Sequence, residues 1–438
     1  MTCTLTNMFP IDTANSLGNY VADVDGNKYL DMFNAIASIS LGYNHPVMLE
    51  KAKEEVVQQT LVTRAGIGVH PEKHYIDVVK RAFIDVAPAG CEKVLTQMCG
   101  SCSNEIAYKC AMILYQAKKR GGLDVAPTQE DMDSCACNSV PGSPKIAVLS
   151  FKSGFHGRLL GSLSTTRTNP LFKLDLASFD WPAAEPPRYK WPLQDNAEYN
   201  AAQDEASLAD VRAKIDQWKA EKGVETCAVL IEPILSEGGD VHISGEYANK
   251  LRALCTELGI YMIVDEVQTG VGVSGKMWAH EHWNLTSPPD FVTFAKKMIS
   301  CGVYHRPEHA MVTPYRHFNT WMGDPVRAHL TAKQNEVIKE DNLIEQAGTA
   351  GDYLHQRMLE MQEKHPGHVL SPRAQGTIQA WDAPDTDTRN ALIHQLKLQG
   401  VHCGPTGTQT IRYRPNLYFE PKHADTLMDR LDKAIKAV

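Results

Sequence analysis

Five short stretches of this sequence set chemically capable side chains directly behind an apolar run. Gly100 and Ser101 follow residues 93–98, and the run FHGR, Phe155 to Arg158, follows 146–150. Glu232, with Glu237 further on, follows 228–231; Asp265, Glu266, Val267 and Gln268 follow 261–264; Lys296, beside Lys297, follows 291–295. Free lysine has a pKa of about 10.4 and is a poor nucleophile at neutral pH, so an imine-forming lysine must be desolvated or placed near another cation. An aspartate facing a ring nitrogen would hold it protonated. Backbone N–H groups that open a helix after a Gly-Ser pair would meet an anion at the positive end of the helix dipole.

These stretches need elements that bring strand ends together. The apolar runs at 228–231, 261–264 and 291–295 are separated by helix-length segments, the pattern of a parallel sheet with crossovers, so the fold class is α/β. In open parallel sheets ligands bind beyond the carboxyl ends of the strands. Singly, Asp265 reads as well as a helix cap, Lys296 beside Lys297 as a solvated charge, and Gly100-Ser101 as a plain helix start. Jointly, an amine, a pyridinium partner and an anion cradle are the three parts that pyridoxal phosphate requires.

Around this centre, residues 19–33 alternate apolar and polar types about Asp25-Gly26, which predicts a hairpin. Residues 50–61, 74–86 and 104–120 carry helical periodicity, and the Gly-, Pro- and Ser-rich stretch 121–145 reads as a surface excursion. Beyond about residue 335 long helices alternate with short strands, including 410–413. The expected division is 1–65 with 331–438 as a smaller α/β domain and 66–330 as a large cofactor-binding domain.

Composition narrows the partners. With 44 Lys and Arg against 52 Asp and Glu, the net charge of -8 gives no field that would draw nucleic acid or an anionic membrane surface. No apolar run approaches the roughly 20 residues of a membrane span. The first basic residue is Lys28, so the start resembles neither a secretory signal nor an Arg-rich transit peptide, and a cytoplasmic address is expected. The 11 cysteines then read as reduced thiols, and the spacing worth attention is Cys99-Gly100-Ser101-Cys102.

The runs CGSCSNE (99–105), FHGR (155–158), EPILSEGGD (232–240), VDEVQTG (264–270), WAHEHW (278–283), TFAKK (293–297), FNTWMGDP (318–325) and IRYRP (411–415) stand in the order seen in class III pyridoxal-phosphate-dependent aminotransferases, and the chain resembles their 4-aminobutyrate group from residue 19 onward. The resemblance implies fold-type I, with a mostly parallel seven-stranded sheet in the large domain. It implies that Lys296, six residues after Asp290, is the Schiff-base lysine. It implies that Asp265 pairs with the pyridine nitrogen, Gln268 approaches the phenolic oxygen and Phe155 stacks on the ring. Gly100 and Ser101 would bind phosphate together with Thr320 donated by the other subunit of a homodimer.

For substrate, the resemblance assigns the remote carboxylate of an omega-amino acid to Arg158 and the alpha-carboxylate of glutamate to Arg412, with Glu237 covering Arg412 otherwise and Ile36 near the substrate. The implied reaction turns 4-aminobutyrate and 2-oxoglutarate into succinate semialdehyde and glutamate; beta-alanine, 5-aminovalerate or the lysine side chain are alternative donors, and a catalytically silent scaffold is the non-enzyme alternative. Family members with the CGSC run share a [2Fe–2S] cluster between two subunits, so Cys99 and Cys102 read as cluster ligands, as a redox-active pair, or as plain thiols. Phe33 stands where the family usually has tyrosine, and Gly404-Pro405-Thr406-Gly407 differs from the usual run before the second arginine.

Overall fold

The computed structural model describes residues 9–64, 66–311 and 313–438. Its centre is a seven-stranded sheet in the spatial order Lys93–Gln97, Cys301–His305, Phe291–Phe294, Tyr261–Asp265, Glu225–Ile231, Ile146–Phe151 and Ala183–Ala184. Cys301–His305 runs antiparallel to both of its neighbours, and the remaining pairings are parallel.

The strands are apolar on both faces because both faces are covered. Successive side chains alternate between two cores. Val148, Ala228, Leu230 and Ile263 meet Ile106, Ala107 and Leu114 of the helix Gly100–Arg120. Leu149, Val229, Met262 and Val264 face the opposite way, toward Tyr247, Ala248 and Leu251 of the helix Gly245–Leu258. Each Val, Leu, Ile or Met side chain among these, fully buried, contributes about 1.5–3 kcal/mol relative to an exposed one. The strand ends are thereby fixed between two helical layers.

The hairpin forms as Tyr20–Ala22 against Lys28–Asp31. Lys28–Asp31 also pairs in parallel with Val401–His402, near the other end of the chain. Leu370–Gln375, Ile378–Asp382, Thr410–Tyr413 and Gly404–Thr406 form a separate antiparallel sheet. Leu30 and Met32 share one core with Leu354, Trp381, Tyr413 and Leu427, so the two ends of the sequence pack as one body. The helix Pro325–Glu340 instead lends Ala328, Ala332 and Val337 to the core of the large sheet.

Two elements differ from the sequence expectation. Cys301–His305 carries no turn signal before it, because the reversal is made by two non-glycine residues with positive φ, Lys296 (49°) and Ile299 (60°). The excursion at 121–145 contains the helix Gln129–Ala136, started by a capping box between Thr128 and Asp131. None of its residues is buried, so it remains a surface element. No described helix is long and apolar enough to cross a membrane.

Candidate active site

Thr293 pairs with Asp265 in parallel register, so the ends of two adjacent central strands bring Asp265 and Lys296 to one side of the sheet. A cavity of about 640 Å³ opens there. Its wall includes Gly100, Ser101, Phe155, Arg158, Glu232, Asp265, Gln268 and Lys296, so each of the five sequence stretches reaches it, although Glu237 itself does not line it.

Asp265 is buried at the back of this cavity. Its Oδ2 accepts from Asn104 Nδ2 at 2.8 Å and lies 2.8 Å from His156 Nδ1, while Oδ1 accepts from the Val267 N–H at 3.0 Å. Asn104 is held in turn: its Oδ1 accepts from Thr293 Oγ1 at 2.9 Å, and its Nδ2 also donates to the His156 carbonyl at 2.8 Å. A carboxylate clamped in this way presents a fixed charge to a ring nitrogen. Glu232 lies close by; burial first, and then the Asp265 charge, push its carboxyl well above the usual range.

Lys296 adopts a left-handed backbone conformation, a strained choice for a residue with a side chain. Burial pushes its amine down to about 8, against the opposing pull of Glu237. That is the shift an imine-forming lysine needs. Lys297 is different. Its side chain is buried away from the cavity wall, and Nζ donates to the Ala37 carbonyl at 3.0 Å.

Elsewhere on the wall, Cys99 caps the helix Gly100–Arg120 and the amides of Gly100 and Ser101 open it. The close approach here requires glycine twice. A Cβ on Gly100 would fall 2.9 Å from Val267 Cγ1, and one on Gly157 would fall 2.3 Å from Ser101 Oγ. The result is a narrow anion cradle on a 21-residue helix. An amine, a clamped carboxylate and a cradle at three points of one cavity fit pyridoxal phosphate.

Arg158 reaches the cavity from the turn after Gly157, with its guanidinium 4.5 Å from the Phe172 ring centroid and 5.2 Å from that of Phe155. Among the described residues no carboxylate is paired with it. Arg412 is buried and committed: Nη1 donates to Glu237 Oε1 at 2.8 Å and to Gln268 Oε1 at 3.3 Å. Burial opposes ionisation of Glu237, but Arg412 and Lys296 outweigh it and hold the carboxyl below its usual range.

Of the expected residues, Thr320, Ile36, Cys102, Arg412 and Glu237 lie outside this wall, whereas Cys99 is part of it. Thr320 is exposed and does not line the cavity of its own chain. Ile36 is 46% exposed, and the cavity wall beside it is made by Ser38. Cys99 lines the cavity with its Sγ 3.4 Å from that of Cys102, and among the described residues no group of three or more His, Cys, Asp and Glu could hold a metal ion.

Sequence reasoning gave no role to Asn104, His156 or Arg414. Asn104 lies one helical turn after Ser101, a spacing that puts both on one face, and this was the available signal. Arg414 is two residues beyond Arg412 on the same strand side; Nε donates to Gln268 Oε1 at 3.2 Å and Nη2 pairs with Asp240 at 2.5 Å, which orients Gln268.

Comparison with known proteins agrees with this geometry. Residues 4–435 match the family Aminotransferase class-III. The chain is 43% identical over 428 residues to 4-aminobutyrate aminotransferase of Dictyostelium discoideum, covering 98% of this chain and 85% of that one. It is 39% identical to the mitochondrial 4-aminobutyrate aminotransferase of Homo sapiens, covering 94% and 82% respectively. The solved lysine aminotransferase from M. tuberculosis superposes with a TM-score of 0.86 at 27% identity, covering 99% of this chain and 96% of the other. The sheet, its helical layers and the cavity at its strand ends are thus those of a fold-type I pyridoxal-phosphate enzyme, and the chain belongs to the class III aminotransferases.

Proposed function

We propose that this chain is an omega-amino-acid transaminase that converts 4-aminobutyrate and 2-oxoglutarate into succinate semialdehyde and glutamate. The observation that carries the reading is the contrast between two arginines. Arg158 stands in the cavity wall with no acidic partner among the described residues, while Arg412 is covered by Glu237. An omega-amino acid needs one guanidinium for its remote carboxylate. Glutamate needs a second, for its alpha-carboxylate.

When bound, pyridoxal phosphate supplies an electron sink for the pair left behind as a proton leaves the substrate carbon. Lys296 takes that proton and returns it to the neighbouring position, as base and then as acid. Asp265, clamped by Asn104 and His156, would be the carboxylate that pairs with the ring nitrogen. Gly100 and Ser101 would hold the phosphate, Phe155 would stack on the ring, and Gln268 would approach the phenolic oxygen. Arg158 binds the remote carboxylate bidentately and so sets the distance from carboxylate to amine. Glu237 swings from Arg412 when the second carboxylate of glutamate or 2-oxoglutarate arrives.

The working unit of this reading is a homodimer, in which Thr320 reaches the phosphate of the other subunit. Its support is the exposure of Thr320, together with exposed Leu159, Leu160, Leu171, Leu174 and Phe179 between the arginine turn and the sheet edge. A [2Fe–2S] cluster would need the Cys99 and Cys102 of both subunits, since one chain offers only two of its four thiolates. Iron and acid-labile sulfide assays of the purified dimer test that part separately. The donor assignment is tested by half-reactions with beta-alanine, 4-aminobutyrate, 5-aminovalerate and lysine. Preference for 4-aminobutyrate supports it, and preference for lysine would move the substrate while leaving the mechanism.

A further inference from the structure

Four consecutive non-glycine residues, Asn34, Ala35, Ile36 and Ala37, have positive φ, between 48° and 60°. A left-handed turn of L-residues costs roughly 1–2 kcal/mol for each residue, so the surrounding structure must hold it. Part of that hold is local. Asp31 Oδ1 accepts from the N–H groups of Phe33 at 3.0 Å and Asn34 at 2.8 Å, and Asn34 Nδ2 donates to the Ile39 carbonyl. The turn ends at Ser38, which forms part of the cavity wall.

The rest of the hold comes from the residue next to the catalytic lysine. Lys297 is 1% exposed, and its Nζ donates to the carbonyl of Ala37, the last residue of the left-handed run. Its own carbonyl accepts from Gln334 Nε2 at 2.8 Å, and Gln334 Oε1 accepts from Ser40 Oγ. Two bridges therefore run from position 297 to the segment 37–40. One goes through the side chain and one through Gln334.

We infer that Lys297 is a positioning residue for the amino-donor site: its buried amine ties the left-handed turn that ends in Ser38 to the backbone that carries Lys296. The inference rests on the transaminase reading of the cavity. With the amine gone, the carbonyl of Ala37 loses its partner, the turn relaxes, and the cavity wall at Ser38 is no longer held in place. The chain-length preference for the donor then broadens, while proton transfer by Lys296 is left as it was.

The test compares wild-type holoenzyme with K297M, whose side chain has similar length and no donor, using 4-aminobutyrate, 5-aminovalerate and beta-alanine. The expected result is a KM for 4-aminobutyrate raised about tenfold with kcat within about twofold, a narrower gap between donors, and an unchanged cofactor absorption band. A purely structural role would lower the melting temperature and leave the donor ranking alone. An unchanged KM and ranking would overturn the inference. Should K297M not fold, K297Q replaces it, since its amide is too short to span to the Ala37 carbonyl, and an unaltered KM and donor ranking there would overturn the inference equally. Loss of 4-aminobutyrate turnover in the wild type itself would instead count against the transaminase reading.

Discussion

Arg412 Nη1 lies 2.8 Å from Glu237 Oε1, and Gln268 touches both residues. The pair lets one pocket treat two classes of substrate differently, because Arg412 is neutralised until a second carboxylate displaces Glu237. Replacing Glu237 with alanine leaves a buried guanidinium uncovered against an omega-amino donor. The KM for 4-aminobutyrate is expected to rise about tenfold, and that for glutamate to change by less than about threefold, in separate half-reactions. Equal effects on both donors would show that Glu237 does not act as a cover.

Arg158 has the opposite character. It rests on Phe155 and Phe172 without an acidic partner among the described residues, so its removal breaks no ion pair within the protein. R158M is therefore expected to fold with the same melting temperature within a degree or so and to raise the KM for 4-aminobutyrate about a hundredfold. Thermal unfolding and steady-state kinetics on one preparation check both halves of that statement.

Asp265 depends on its neighbours. Substituting Asn104 by alanine removes one donor to the carboxylate and leaves Thr293 Oγ1 without its acceptor, an effect of about 1–2 kcal/mol and so roughly tenfold in kcat. D265N removes the charge itself and is expected to lower kcat by about three orders of magnitude. The ratio of the two losses is the measurement: similar losses would mean that the charge of Asp265 matters no more than its placement.

The amine of Lys296 titrates at about 8 in the folded chain without cofactor, because burial disfavours its charged form. The unfolded chain keeps its lysines protonated to about 10.4. Between these values the unfolded state binds more protons, so this group's penalty on folding is relieved as pH rises from about 8 to about 10.4. The urea midpoint of the cofactor-free protein should therefore gain on that of K296M as pH climbs through this window. Below pH 8 both states carry the proton and the difference should be flat. The rate of cofactor capture should rise through the same pKa, since only the neutral amine attacks.

Much of this site was legible in the sequence because its residues follow strands, and strands buried on two faces announce themselves as apolar runs. Lys296, Asp265, Gly100, Ser101, Phe155, Gln268 and Arg158 all reach one cavity for that reason. What stayed hidden were contacts that join remote segments through polar groups. Asn104 and His156 sit inside runs that drew attention for other residues, and nothing local marks them as partners of Asp265. The left-handed turn at 34–37 has no glycine in it, so no composition signal reveals it. The packing of Phe33 against Gly404, where an added Cβ would lie 2.7 Å from the ring, is likewise visible only once residues far apart in sequence have met. Those two positions were noted separately as departures from the family pattern; in the fold they are neighbours.

The central claim is that Lys296 and a bound pyridoxal phosphate deaminate 4-aminobutyrate. It is tested most directly by the visible absorption spectrum of the purified protein before and after adding 4-aminobutyrate without any keto acid. A cofactor band that bleaches on addition and returns with 2-oxoglutarate is the predicted result, with no such response in K296A. A protein that shows no band even after incubation with pyridoxal phosphate, or a band that 4-aminobutyrate leaves unchanged, would contradict the account.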